Sequence, residues 1–167
     1  MASDPRLNAV LTAVLNYWVD IRVAAKGHGV PADVLAGLVA QESGGDMWAV
    51  RAEPLYRWLV GDDPGEVLVK PPISTKATEF YCQRISWGLC QIMGATARCM
   101  GFRGWFTELC EPAVGLNYGA KFLSWCLERQ RGNIFGALQR YNGGGVRNSQ
   151  TRDYARSVLG WAGEFEG

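Results

Sequence analysis

Apolar residues recur at the period of an α-helix along most of this chain, and that spacing leaves little choice of architecture. Leu7, Val10, Leu11, Val14, Leu15 and Trp18 follow one another three or four residues apart until Gly27, after an Asp4-Pro5 pair suited to a cap and a first helical turn. A second helix opens near Pro31, with Asp33 in the turn where the helix dipole favours a carboxylate, and ends at Gly44-Gly45. A third covers about Leu89 to Met100. Pro112 begins another that runs to about Gln130 and is apolar on nearly every side (Leu116, Phe122, Leu123, Trp125, Leu127), as a central buried helix would be. Asn133 caps a short helix ending at Tyr141, Asn142-Gly143-Gly144-Gly145 forces a break, and a last helix carries Tyr154, Val158, Leu159 and Ala162. The expected fold class is all-α.

The periodicity lapses between Asp46 and about Gln83. Gly61-Asp62-Asp63-Pro64-Gly65 and Lys70-Pro71-Pro72 are turn and extended signals, with Tyr56, Trp58 and Leu59 between them. This stretch reads as an irregular surface insertion, its aromatics lining a groove or, by default, packed beneath a loop. The 167 residues fit one compact domain, 1–167, without internal repeats.

Composition excludes several function classes. With 48% apolar and 20% charged residues the chain folds, and a formal net charge of +1 gives no general nucleic-acid footprint. Residues 1–97 carry 8 Lys/Arg against 10 Asp/Glu, whereas residues 98–167 carry 9 against 6, with Arg140, Arg147, Arg152 and Arg156 close together. Such a modestly positive end helps to meet an anionic polymer. No apolar run is long enough to span a bilayer, so no stable membrane insertion is expected. Met1-Ala2-Ser3-Asp4-Pro5-Arg6 lacks the basic-then-apolar pattern of a secretory signal, so the expected location is the cytoplasm until some partner releases the protein. Cys82, Cys90, Cys99, Cys110 and Cys126 form no ligand set with His28, the one histidine, so no metal site is expected and the thiols read as free. A lone histidine in Gly27-His28-Gly29 also argues against a Ser-His-Asp or Cys-His hydrolase.

Three clusters remain that suit chemistry. Leu35, Leu38, Val39 and Glu42 lie at i, i+3, i+4 and i+7, so Glu42 continues an apolar stripe at the end of its helix. Burial disfavours a charged carboxylate and raises its pKa, as a general acid near neutral pH requires. Alone, the same position fits a glutamate tilting into solvent. Ser86-Trp87-Gly88-Leu89-Cys90-Gln91-Ile92-Met93 offers a glycine that admits a ligand or another backbone, and an amide suited to sugar acetamido and hydroxyl groups. Tyr141-Asn142-Gly143-Gly144 sets a phenol and an amide at a sharp helix stop.

In this order the clusters resemble the catalytic domain of the soluble lytic transglycosylases. That family's pattern is a helix ending in Glu-Ser, then Gly-Leu-Met-Gln-Ile, then Ala-Tyr-Asn-Gly, then a tyrosine in the last helix. This chain has Gln41-Glu42-Ser43, Gly88-Leu89-Cys90-Gln91-Ile92-Met93, Arg140-Tyr141-Asn142-Gly143-Gly144 and Tyr154-Ala155, spread over about residues 30–160. Trp48-Ala49-Val50-Arg51 and Ser86-Trp87-Gly88 look most like the compact phage and prophage members. Cys90 replaces the usual methionine, and 49 residues separate Glu42 from Gln91, so that about 46–83 is an insertion relative to the common pattern.

The resemblance implies a lysozyme-like fold and cleavage of the bond between N-acetylmuramic acid and N-acetylglucosamine in peptidoglycan, leaving a 1,6-anhydromuramyl end, with no cofactor. It assigns catalysis to Glu42, with Tyr141 orienting and hydrogen-bonding it. Substrate contacts fall to Ser43, Ser86, Gly88, Gln91, Asn142 and Tyr154, with Leu89 and Met93 as apolar walls. It further implies a monomeric phage endolysin held in the host cytoplasm until a holin opens the membrane, or a virion-associated lysin. Two alternatives stand beside it. A goose-type lysozyme-like hydrolase needs a second carboxylate to activate water, for which Asp46, Glu53, Asp62, Asp63, Glu66 and Glu79 are on offer, most of them read as solvated loop charges. A non-catalytic wall-binding or virion structural module binds glycan without Glu42.

Overall fold

The computed structural model describes residues 4–63 and 66–166. Met1-Ala2-Ser3 of the predicted start and Pro64-Gly65 of the predicted turn lie outside the described residues. Helices dominate, as the periodicity requires: α1 (Pro5–Leu15), α2 (Trp18–His28), α3 (Ala32–Ser43), α4 (Lys76–Cys82), α5 (Gly94–Cys99), α6 (Pro112–Arg129), α7 (Ile134–Gly143) and α8 (Ser149–Gly163). Their ends follow the sequence signals. The Asp4 carboxylate accepts the Arg6 N–H, Asn133 accepts from Gly136, and Gly29 and Gly44 close α2 and α3 in the left-handed conformation. The first apolar run is two helices and not one. It breaks at Asn16-Tyr17, where the Tyr17 N–H bonds back to Val14 at 2.9 Å and tightens the last turn, although neither residue is a breaker by type.

α3 is the axis of the fold. Val34 to Ala40 are all buried, so this helix is enclosed on every side instead of presenting one stripe. α2 and α8 pack against it, and α6 and α7 close the ring around a core of Leu35, Leu38, Leu116, Leu123, Leu138 and Val158, each without exposed surface. Burying each such side chain contributes about 1.5–3 kcal/mol. α8 crosses α3 at Gly37, where a Cβ would sit 2.5 Å from the Val158 carbonyl and 2.7 Å from the Ala162 nitrogen. Only glycine allows the two backbones so close.

A small antiparallel sheet was not legible in the periodicity. β1 (Val50–Ala52), β2 (Ile85–Trp87) and β3 (Ile92–Met93) pair in that order, Val50 opposite Trp87 and Trp87 opposite Ile92. Strands of two or three residues are too short to show an alternating pattern. The hairpin between β2 and β3 corrects the helix expected over Leu89–Met100. Gly88 (φ +64°) and Gln91 (φ +44°) are left-handed, Gln91 N–H bonds the Gly88 carbonyl, and helix resumes only at Gly94. Beneath the sheet lies a second cluster of Trp87, Ile92, Phe102, Phe106 and Leu109.

The insertion is tied down by polar contacts. Glu79 of α4 and Arg98 of α5 form a two-pronged ion pair, Nε to Oε2 at 3.0 Å and Nη2 to Oε1 at 2.9 Å, with side chains 2% and 0% exposed. Glu79 is thus no solvated loop charge. Gln83, also buried, accepts the Val60 N–H at 2.7 Å and donates to the Val60 carbonyl at 3.1 Å, imitating one rung of a strand pair.

Candidate active site

Glu42 occupies the last turn of α3, half-buried where the helix leaves the core. The Tyr154 hydroxyl, from α8, donates to its Oε1 at 2.5 Å. Burial pushes the Glu42 carboxyl above the ordinary glutamate value, while the Tyr154 hydrogen bond and the Arg51 charge draw it partly back. Tyr154 in turn is held well above the usual tyrosine range, by burial first and by the Glu42 charge next. The helix-terminal carboxylate is therefore an inward, partly desolvated acid, and the bland reading of a glutamate tilted into water is set aside.

The hydrogen bond to Glu42 that the resemblance placed on Tyr141 comes from Tyr154. Tyr141 donates instead to the Cys90 carbonyl at 2.9 Å, its ring 4.9 Å from that of Phe122. The reason is register. Tyr154 sits on α8 beyond the Gly37 crossing and faces the end of α3, whereas Tyr141 on α7 faces the hairpin. Burial holds Tyr141 well above the usual tyrosine range, and the Glu42 charge adds to that.

Most motif residues of the hairpin build it. The Ser43 hydroxyl lies 2.9 Å from the Leu89 carbonyl and 3.2 Å from that of Val39, stitching the end of α3 to the loop. Gln91 donates from Nε2 to the carbonyls of Ala49 (2.8 Å) and Gly88 (3.0 Å), which commits its amide nitrogen to the fold. Ser86 is buried and donates to the Met93 sulfur. Gly88 admits another backbone, not a ligand: a Cβ there would stand 2.3 Å from the Leu109 carbonyl. Leu89 is no groove wall either. Its side chain is buried in the main core. Cys90, the methionine substitute, lies where α6 comes nearest, a Cβ on Gly119 falling 2.4 Å from its sulfur. Burial pushes the Cys90 thiol far up and Cys126 up to about 12, so neither is a nucleophile near neutral pH.

A cavity of about 520 Å³ adjoins this arrangement. Gln91, Met93, Tyr141 and Asn142 line it, and Asn142 is exposed there, as a sugar-facing amide should be. Glu42 is not among its walls, whereas Tyr141 is. Four residues outside the motif assignments contribute here. Tyr56 and Trp58 of the insertion form part of the lining in place of packing beneath a loop, and Arg140 joins them. Arg51 on β1 supplies the cation felt by Glu42. Arg51 and Arg140 carry no local signal that would assign them to the site, and the place of Arg51 depends on the pairing of β1 with β2, which no local pattern states. Among the described residues, no group of three or more His, Cys, Asp or Glu is placed to hold a metal ion.

The family model of the transglycosylase SLT domain matches residues 20–162. No curated protein matches. Among solved structures, an inactive mutant of the lytic transglycosylase Slt from Pseudomonas aeruginosa is similar, with a TM-score of 0.60 and 19% identity over 86% of this chain. That match covers 23% of the other chain, so this chain spans about a quarter of its length, and at such identity the likeness speaks for the fold. With its Glu-Ser helix end, its hairpin and its Tyr-Asn turn brought together on a lysozyme-like helical fold, the chain belongs to the transglycosylase SLT family.

Proposed function

We propose that this protein, as one catalytic domain, is a peptidoglycan lytic transglycosylase in which Glu42 is the acid and then the base. The observation that carries the reading is the half-buried Glu42 carboxyl, raised by desolvation and gripped by Tyr154. Protonated Glu42 donates to the glycosidic oxygen between N-acetylmuramic acid and N-acetylglucosamine as positive charge develops on the anomeric carbon, which the substrate's own acetamido group assists. The glucosamine leaves with that proton. The Glu42 carboxylate, steadied by the Tyr154 hydroxyl and the Arg51 charge, then removes the proton of the muramyl C6 hydroxyl. That oxygen closes on the anomeric carbon, Glu42 is protonated again, and no water is consumed. Asn142 and the walls near Met93 hold the sugar, while Ser43, Ser86, Gly88 and Gln91 act by fixing the hairpin.

An inverting hydrolase needs a second carboxylate beside the bond. The charged side chain that perturbs Glu42 is the cation Arg51, and Glu79, one candidate for that role, is engaged with Arg98. Both facts favour the transglycosylase. The biological setting follows as part of the same proposal: a monomeric phage endolysin, stored in the host cytoplasm and reaching the wall through a holin. Among the described residues no helix is long and apolar enough to cross a membrane. The test is mass spectrometry of digested peptidoglycan. Anhydromuramyl ends are expected, and reducing muramyl ends would refute the reaction in favour of hydrolysis.

A further inference from the structure

Tyr56 and Trp58 line the cavity together with the Tyr141–Val146 segment, and Trp58 is 71% exposed, its ring edge-on to Tyr56 at 5.5 Å between centroids. Arg140 lines the same space. Its guanidinium lies over Trp125, 5.0 Å from the ring centroid, and its Nε is the one buried side-chain nitrogen or oxygen left without a hydrogen-bond partner among the described residues. Among the described residues no carboxylate pairs with it, and those lining the cavity include no Asp or Glu. A partly buried cation with no counter-charge is costly, and a carboxylate entering the cavity would supply one to the outer guanidinium nitrogens, the Nε itself being shielded by the protein. The family pattern has alanine before Tyr-Asn-Gly, so this cation belongs to this chain and not to the shared motif.

We infer that Arg140 and Trp58 are a specificity pair for a carboxylate-bearing substituent of the bound glycan strand, Arg140 meeting the carboxylate and Trp58 covering the apolar atoms beside it. This rests on the proposed peptidoglycan substrate. The carboxylate has two possible sources there, the muramyl lactyl group and the peptide attached to it.

Calorimetric binding in the non-cleaving Glu42→Gln background separates them, using peptide-bearing strands, strands stripped of peptide so that the lactyl carboxylate is free, and N-acetylglucosamine oligomers with no carboxylate. Arg140→Gln is expected to weaken binding of carboxylate-bearing strands about tenfold or more, with partial recovery in Arg140→Lys, and to leave the oligomers unchanged. Trp58→Ala, at an exposed position that does not threaten folding, should weaken the same strands several-fold. Because the attached peptide turns the lactyl carboxylate into an amide, an Arg140 effect confined to stripped strands assigns the lactyl group, and an effect on peptide-bearing strands assigns the peptide. Equal weakening of all three ligands, no weakening of any, or a Trp58→Ala protein that binds carboxylate-bearing strands normally overturns the pair. Since binding is read without cleavage, a failure to form anhydromuramyl ends in active protein sinks the proposed reaction separately. Absence of binding to every strand by the parent protein overturns both.

Discussion

Replacing Glu79 with leucine should be among the most damaging single changes in this protein, though the residue lies in the irregular insertion. The Arg98 guanidinium sits with no exposed side-chain surface between aromatic rings, 4.1 Å from the Phe106 centroid and 5.0 Å from that of Phe102. Two of its donors serve Glu79, and Nη1 serves the carbonyls of Phe102 (3.1 Å) and Gly104 (3.0 Å). Without Glu79 a full positive charge stays buried with two donors unmatched, a situation that costs roughly 3–5 kcal/mol. For a chain of this size each kcal/mol moves Tm by about 2–4 °C, which puts the expected fall at roughly 6–20 °C. Removing the charge as well should restore most of the loss, because hydrophobic replacements of buried pairs are often neutral. The Glu79→Leu/Arg98→Met double variant strands two carbonyls, of which the Gly104 one is only part-buried, and the Ser74 hydroxyl that donates to Glu79 at 3.1 Å, so it should fall short of the parent while standing clearly above Glu79→Leu. Thermal and urea unfolding of the two single variants and the double variant measure the coupling directly. A Glu79→Leu loss below about 1 kcal/mol, or a double variant no more stable than Glu79→Leu, would refute a desolvated, mutually dependent pair.

Other outcomes follow from the site. Glu42→Gln should lower turbidity clearing of purified walls by at least roughly 100-fold while the protein stays folded. Its stability should depend on pH in a set direction: because the folded Glu42 value lies above the unfolded 4.5, the parent's stabilisation is full below 4.5 and lost as pH rises through the raised folded value, so Glu42→Gln should gain on the parent as pH rises above 4.5 in urea melts. For the same reason cleavage should persist to higher pH than a solvated glutamate allows and fade as Glu42 ionises. Tyr154→Phe removes the contact that lowers the Glu42 value, so the upper limb of the pH–rate profile should move further up and kcat should fall about tenfold; an unmoved limb would show that Tyr154 does not bear on the acid. Gly37→Ala must force α8 away from α3 and should cut kcat by separating Tyr154 from Glu42, a loss measurable even at temperatures where circular dichroism reports a folded protein.

The helices were legible because each is announced twice, by an apolar period and by a cap or a glycine stop. Gly44 and Asn133 ended and began helices where their types predict. The acid was legible for the same reason, since Glu42 prolongs the stripe of Leu35, Leu38 and Val39. What failed to show was everything set by contacts distant in sequence. Strands of two or three residues carry no period. The partner of Glu42 turned on whether α7 or α8 faces the end of α3, which the Gly37 crossing decides and no local motif states. Gln91 and Leu89 have the residue types of ligand contacts, yet the side-chain amide of Gln91 is spent on the distant Ala49 carbonyl and the Leu89 carbonyl accepts from the Ser43 hydroxyl.

The two halves of the site have different mechanical footing. Glu42 and Tyr154 ride on helices whose main chains touch at Gly37, so their separation is as stiff as the interior itself. The opposite rim, with Tyr56 and Trp58, hangs from a few side-chain anchors such as Gln83. Variation along that rim can retune which decorated polymers are admitted while the proton-transfer apparatus is inherited untouched, so relatives of this chain should diverge in wall preference sooner than in reaction.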